Sequence, residues 1–355
     1  MRVSTDRPVL ITGGAGFIGA NLAHHLIGRG HTVRVLDDLS RRGVELNLAR
    51  LCAQHGDRID ARIADIRDRD AVRDAVQGAR AVFHFAGQTA VTTSLVDPRH
   101  DFSVNAGGTL ELLEAIRDLA VPPPIVFTST NKVYGCLPGL ALRVDGARWR
   151  PVEDEVQARG IDEGTGLAFR TPYGCSKGAA DQYVLDYAQS FQLPAVVFRM
   201  SCIYGPRQQG TEDQGWIAHF LIRAIDGAPI TIYGDGRQVR DVLYVEDLID
   251  ALVRAWTRIE VVRGHAYNIG GGPRCTLSLL ELIDLIEQLR GARPEVRFEP
   301  WREGDQRYYV SDTRAFTAAT GWQPRIAPRA GVEVLHGWLV ERLASLANLT
   351  EVSRG

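Results

Sequence analysis

Cysteine is scarce and scattered. The five cysteines, Cys52, Cys136, Cys175, Cys202 and Cys275, form no CxxC pair and no Cys/His grouping with metal-ligand spacing. A disulfide framework and a structural metal site are both excluded by that pattern, and a reducing cytoplasm is the expected compartment. The chain has no strong charge of either sign: 41 Lys and Arg against 43 Asp and Glu leave −2. No basic field exists to gather nucleic acid or an anionic membrane, so neither is an expected partner. Long apolar runs are missing as well. The segment from Leu119 to Phe127 is broken by three prolines, and Val9-Leu10-Ile11 is too short for a membrane span. The opening Met1-Arg2-Val3-Ser4-Thr5-Asp6-Arg7 is too charged to read as a signal peptide.

What is plentiful is glycine, 36 of 355 residues, about a tenth where about 7% is usual. The length suits about two lobes. Short β-branched runs at Val9–Thr12, Thr32–Leu36, Ile59–Ala64, Ala81–Phe85, Ile125–Thr128 and Ala195–Phe198 alternate with helical patterns. The helices are expected at Phe17–Gly28, Asp68–Val76, Phe102–Leu119 and Tyr173–Phe191. That order predicts an α/β fold, a doubly wound parallel-sheet Rossmann domain, because such strands are buried on both faces. After Arg199 the rhythm breaks into turn-rich segments and late helices at Leu277–Leu289 and Val332–Leu346. A smaller α/β substrate-binding lobe is expected there. The cofactor domain is assigned 1–199 with 239–270, and the lobe 200–238 with 271–355.

The first glycine cluster follows a strand and opens a helix: Thr12-Gly13-Gly14-Ala15-Gly16-Phe17-Ile18-Gly19. Glycines at this spacing let backbone approach a pyrophosphate at a helix N-terminus. The next strand ends at Asp37, roughly 20 residues on, where a carboxylate meets ribose hydroxyls. NAD is therefore expected over NADP, with Arg41 and Arg42 as the residues that argue the other way. Further on, Tyr173 and Lys177 share a helix face at i, i+4, following Thr128-Ser129-Thr130 at a strand end. An ammonium beside a phenol, together with a cationic nicotinamide ring, is expected to lower its pKa, so that the phenolate takes a hydroxyl proton.

Together these motifs resemble the extended short-chain dehydrogenase/reductase family of nucleotide-sugar enzymes, over nearly the whole chain. The resemblance implies Thr130, Tyr173 and Lys177 as the catalytic set. For the cofactor it implies Gly13, Gly16, Phe17, Ile18, Gly19, Asp37, Asp38, Ser40 and Arg42. To these it adds Asp65 and Ile66 at the adenine, the loop Phe85-Ala86-Gly87, Asn105, and Tyr173 and Lys177 again. Gln88, Thr89, Ser129 and Asn131 are expected to line the sugar pocket. Ser201, Arg207, Tyr233, Arg240 and Arg302 are expected toward the diphosphate and nucleotide, where guanidinium groups suit phosphate oxygens. Dehydratases of the family carry Asp-Glu directly after the catalytic Thr; here Asn131 and Lys132 stand there, which disfavours water loss. The text around Phe85–Ser94, Ser129–Gly135 and Asp213–Trp216 resembles the group that inverts C2 of a CDP-activated dideoxyhexose, CDP-paratose to CDP-tyvelose. A 4-epimerase, a 2-epimerase of a UDP- or GDP-sugar, and a non-catalytic NAD/nucleotide-sugar sensor are the alternatives. The resemblance also implies a homodimer through a four-helix bundle, or a tetramer. His84 is expected to be structural, Trp216 is left open, and the arginine-rich 136–170 segment is expected to cover the nucleotide.

Overall fold

The structure is a computed structural model that describes residues 7–352, with side chains described to residue 343. The opening residues 1–6, read above as unlike a signal peptide, lie outside the described residues. Seven parallel strands form the main sheet: β1 Val9–Thr12, β2 Val33–Asp37, β3 Ile59–Ile63, β4 Ala81–His84, β5 Ile125–Thr130, β6 Ala195–Met200 and β7 Ala266–Ile269. Their order is β3-β2-β1-β4-β5-β6-β7. The chain direction across the sheet reverses between β1 and β4, and ligands bind beyond the carboxyl ends of strands at such a point. Six strands coincide with the expected runs to within two residues at each end; β7 is the addition.

Strands β1, β4 and β5 are buried along their whole length, as strands covered on both faces must be. One face packs Leu22, Ala23 and Leu26 of α1 (Phe17–Gly28), Leu48 and Leu51 of Val44–His55, and Leu248 and Leu252 of Val245–Thr257. The other packs Val72, Leu112, Leu113, Ala180 and Val184 from three further helices. The expected helix from Phe102 is not continuous. Pro98–Phe102 leads into one π-helical turn, Ser103–Gly107, and then Gly108–Arg117. A π turn inserts an extra residue and re-aims its neighbours; here it carries the buried Asn105. Gly108 allows the close packing, since a Cβ there would lie 2.6 Å from Ile66 Cγ2.

The second lobe holds a small sheet in which Val239–Tyr244 pairs with Cys202–Tyr204, Thr276–Ser278 and Tyr308–Tyr309. Beside it lies a parallel pair, Ile230–Tyr233 with Val296–Glu299. Helices Trp216–Ile225, Leu279–Arg290 and Pro328–Val352 close a core around Phe220, Ile232, Ile286 and Leu335. The segment 239–270 is thus shared: its first strand lies in this small sheet, whereas its helix and β7 belong to the large one. No helix among the described residues is long and apolar enough to cross a membrane.

The 136–170 segment does not cover the cleft; none of its residues lines it. It forms an antiparallel hairpin, Leu142–Asp145 with Arg148–Pro151, that straps the first domain to the second lobe. Trp149 donates its backbone N–H to the Arg237 carbonyl (2.8 Å) and its indole N–H to Asp235 (2.9 Å). Arg148 pairs with Glu281, and Ile161 N–H donates to the Val310 carbonyl at 2.7 Å. Arg148, Trp149 and Ile161 are spent on these partners, which hold the segment along the lobe.

Candidate active site

The glycine loop is shaped by backbone contacts that only glycine permits. Gly13 has φ +67°, and a Cβ on it would sit 2.7 Å from Ala86 N; one on Gly19 would sit 2.4 Å from the Gly13 carbonyl oxygen. Gly16 is different. It precedes α1 without a side-chain cap, and a Cβ there would meet only Gly13 O at 3.1 Å. The first N–H groups of α1 are therefore left for a ligand, an arrangement that favours an anion. Phe17 and Ile18 line the adjacent cleft. Asp37 ties this loop to β2, accepting N–H groups from Ala15 (2.9 Å) and Leu39 (3.0 Å). Burial pushes its carboxyl up, more than those bonds hold it down. Asp38 accepts from the Ser40 backbone (3.0 Å) and hydroxyl (2.7 Å). Asp65 is gripped by Arg67, which holds its carboxyl below the usual range, while Ile66 packs beneath Gly108.

Arg42 is exposed. Arg41 instead turns inward, donating to Thr89 Oγ1 (2.8 Å) and Gln214 Oε1 (2.6 Å). It spans the two lobes and lies near enough to Tyr173 to act on it. The residues present fit a dinucleotide. Besides the open N-terminus of α1, Asn105 Oδ1 and Ser129 Oγ are buried without a hydrogen-bond partner among the described residues. Asn105 Oδ1 also lies where a side chain on Gly87 would go, 2.8 Å from that Cβ position. Its amide group is held by Asp101 and Ser176.

Thr130 ends β5, and Tyr173 and Lys177 lie in the first two turns of Thr171–Ser190, so all three line one cleft of about 480 Å³. Burial pushes Tyr173 up to about 12, opposed by the Thr130 hydroxyl and the Arg41 charge. Lys177 does not reverse this, because its ammonium donates to the Thr128 carbonyl at 2.7 Å and sits over the Phe127 ring. Burial brings Lys177 itself down to about 8, with Asp181 and Asp101 resisting. His84 bridges Thr12 Oγ1 (2.6 Å) and Thr109 Oγ1 (3.0 Å), and burial drives it down to about 3. A neutral imidazole holding two strand-end hydroxyls is a structural group.

Toward the second lobe the cleft is lined by Gln88, Thr89, Ser129, Asn131, Ser201, Tyr233, Arg240 and Arg302. Several of these are already engaged. Gln88 closes a turn onto Ala90, and the Ser201 hydroxyl donates to Asp241. Arg240 is buried against Asp305 (2.6 Å), and Arg302 stacks 3.7 Å over Tyr233 while donating to the Glu212 carbonyl (2.9 Å). Arg207 is not brought to the cleft. Its own φ of +70° and the preceding glycine turn it toward α1, where it donates to Asn21 Oδ1 at 2.6 Å. Lys132, Glu212, Gln214 and Asp305 line the cleft without having been expected there, and Trp216, left open above, lines it too. For Lys132 the signal was present in its adjacency to Thr130, and for Gln214 and Trp216 in the Asp213–Trp216 text; no local pattern marks Glu212.

Comparison with known proteins agrees with this geometry. Residues 9–270 match the model of the NAD dependent epimerase/dehydratase family. The chain is 43% identical to the CDP-paratose 2-epimerase of Salmonella typhi, over 93% of this chain and 98% of that one. It is 33% identical to a UDP-glucose 4-epimerase of Mycolicibacterium smegmatis, covering 91% and 95%. Among solved structures, Thermotoga maritima UDP-glucose 4-epimerase with UDP-glucose superposes at TM-score 0.81 with 29% identity, covering 95% and 99%. The NAD complex of Thermus thermophilus UDP-glucose 4-epimerase does so at 0.77 with 32% identity, covering 94% and 98%. The chain, with its glycine loop, its Thr130, Tyr173 and Lys177 in one cleft and this match, belongs to the NAD dependent epimerase/dehydratase family.

Proposed function

We propose that the protein is an NAD-dependent nucleotide-sugar epimerase that inverts C2 of a CDP-activated dideoxyhexose, converting CDP-paratose to CDP-tyvelose. The observation that carries it is the 43% identity, over nearly the full length of both chains, with a CDP-paratose 2-epimerase. Bound at the glycine loop, NAD supplies a reversible hydride acceptor. The chain's residues do the rest. Thr130 offers its hydroxyl to the oxygen on C2 of the sugar, and Tyr173 takes the proton from that sugar hydroxyl and later returns it. Lys177 orients the cofactor ribose and brings positive charge to the site. Neither Asn131 nor Lys132 supplies the carboxylate pair that elimination requires, so the flat ketone has one fate: it turns over and is reduced on its other face.

The same reading places the protein in the cytoplasm. It assigns the glycine-loop residues, Asp37, Asp65, Ile66 and Asn105 to the dinucleotide, and the cleft arginines Arg240 and Arg302 to the substrate. A homodimer through the Pro98–Arg117 and Thr171–Ser190 helices is supported by exposed apolar rings on them, Phe102, Tyr183 and the adjoining Phe191. The test is direct. Purified protein is given CDP-paratose without added NAD, and the product is followed by NMR. Formation of the C2 epimer, with NAD released on denaturation, supports the proposal; no turnover even with NAD added overturns it. UDP- and GDP-sugars in parallel test the alternative substrates.

A further inference from the structure

The cations that line the cleft are not equally available. Arg240 gives Nη1 to the Val239 carbonyl (2.8 Å) and Nη2 to both Asp305 (2.6 Å) and the Gln306 carbonyl (2.5 Å). Arg302 is held by Tyr233 and Glu212, and Lys177 by the Thr128 carbonyl. Lys132 stands apart. Its acceptors are Gln306 Oε1 at 3.4 Å, Gly304 O at 3.5 Å and Asp305 Oδ1 at 3.8 Å. All lie beyond the roughly 2.7–3.2 Å of a well-made N–H···O bond.

Asp305 favours Arg240, at 2.6 Å against 3.8 Å for Lys132, so two cations share this one carboxylate. Burial and the neighbouring Arg240 both act against the charged form of Lys132. An ammonium has three protons to place; this side chain is 21% exposed at the cleft, so its long contacts leave protons free for a ligand there.

Its location says which ligand atom. The Lys132 backbone N–H donates to Thr130 Oγ1 at 3.2 Å, the hydroxyl beside the Tyr173 phenol. The ammonium thus lies one lysine side chain away from the Thr130 hydroxyl, on the side of the cleft formed by Gly304 and Asp305. When C2 is the reacting carbon, its neighbour C1 carries the glycosyl phosphate. When C4 reacts, the width of the sugar ring lies between.

We propose that Lys132 is a substrate-binding residue whose ammonium takes the glycosyl phosphate of the nucleoside diphosphate sugar. It supplies the free cation that Arg240, committed to Asp305, does not. The proposal rests on the nucleotide-sugar function above, and the experiment separates the two.

The NAD-loaded protein is titrated calorimetrically with CDP and CMP, and in parallel with UDP, UMP, GDP and GMP. The base preferred by the wild type tests the function. The diphosphate-to-monophosphate ratio, read on that preferred base, tests Lys132. Lys132→Met is expected to weaken the diphosphate by roughly 10- to 100-fold, the scale of a charge-assisted bond, and to leave the monophosphate nearly unchanged. Lys132→Gln, which keeps a donor without the charge, is expected to show the same selective loss and serves should methionine disturb the fold. Lys132→Arg, which keeps the charge, is expected to retain most of the diphosphate preference. Unaltered diphosphate affinity in both neutral variants, or equal losses for diphosphate and monophosphate, overturns the proposal.

Discussion

Replacing Lys177 with methionine is expected to make the NAD-free protein more stable while abolishing turnover. The ammonium is only 7% exposed, and burial draws it down from its ordinary 10.5 to about 8. In the unfolded chain the ordinary value returns. Between pH 8 and 10.5 the unfolded state therefore holds the extra proton, and stability rises with pH through that window. Below pH 8 both states are protonated and the folded state bears the whole penalty. At about 1.4 kcal/mol per tenfold change, the drop from 10.5 to about 8 corresponds to about 3 kcal/mol. Methionine gives up the bond to the Thr128 carbonyl and the contact with the Phe127 ring, together about 2 kcal/mol. The net expectation is a gain of about 1 kcal/mol at pH 7, gone by pH 10.5. Urea unfolding of NAD-stripped wild type and Lys177→Met at pH 7 and pH 10 measures it, with turnover assayed alongside. A variant less stable than wild type at pH 7, or a difference independent of pH, refutes the reasoning.

Other outcomes follow from particular contacts. Tyr173→Phe is expected to lose about 10²- to 10⁴-fold in kcat while keeping NAD, measured by single-turnover assay and by NAD content; unchanged turnover reassigns the base. Gly19→Ala drives a Cβ to 2.4 Å from the Gly13 carbonyl, and backbone cannot yield as a side chain does. NAD retention after gel filtration is expected to be lost. Asp181 holds Arg199 by two bonds, 2.9 and 3.0 Å, both groups buried. Asp181→Leu is expected to cost about 3–5 kcal/mol by leaving a buried guanidinium unpaired, and adding Arg199→Met should recover much of it; urea midpoints decide.

The parts of this site that were legible in the sequence are those where chemistry demands a residue type at a fixed spacing. Gly13 and Gly19 mark a loop that only glycine can form, with Gly16 completing the spacing. Tyr173 and Lys177 are one helical turn apart, so their helix alone places them on one face. The parallel sheet was legible for a similar reason, because strands buried on both sides read as unbroken apolar runs. What escaped depends on contacts between distant segments. The high pKa of Tyr173 is set by how completely the fold buries it. The π turn at Asn105 has no local mark in the sequence, and the strap at 136–170 follows from partners at Arg237, Glu281 and Val310. Arg207 looked like a phosphate ligand by type, yet one backbone angle turns it to Asn21. Lys132 was noticed for what it is not, a carboxylate; its loosely held charge emerges only once Arg240 and Asp305 are seen together.

The central claim is that oxidation and reduction both occur at C2 of the sugar. Incubating the protein with CDP-paratose deuterated at C2, in unlabelled water, tests this most directly. The account predicts CDP-tyvelose that retains deuterium at C2, since the hydrogen removed is the one returned. Loss of the label to solvent, or a product changed at C4 with C2 untouched, contradicts it.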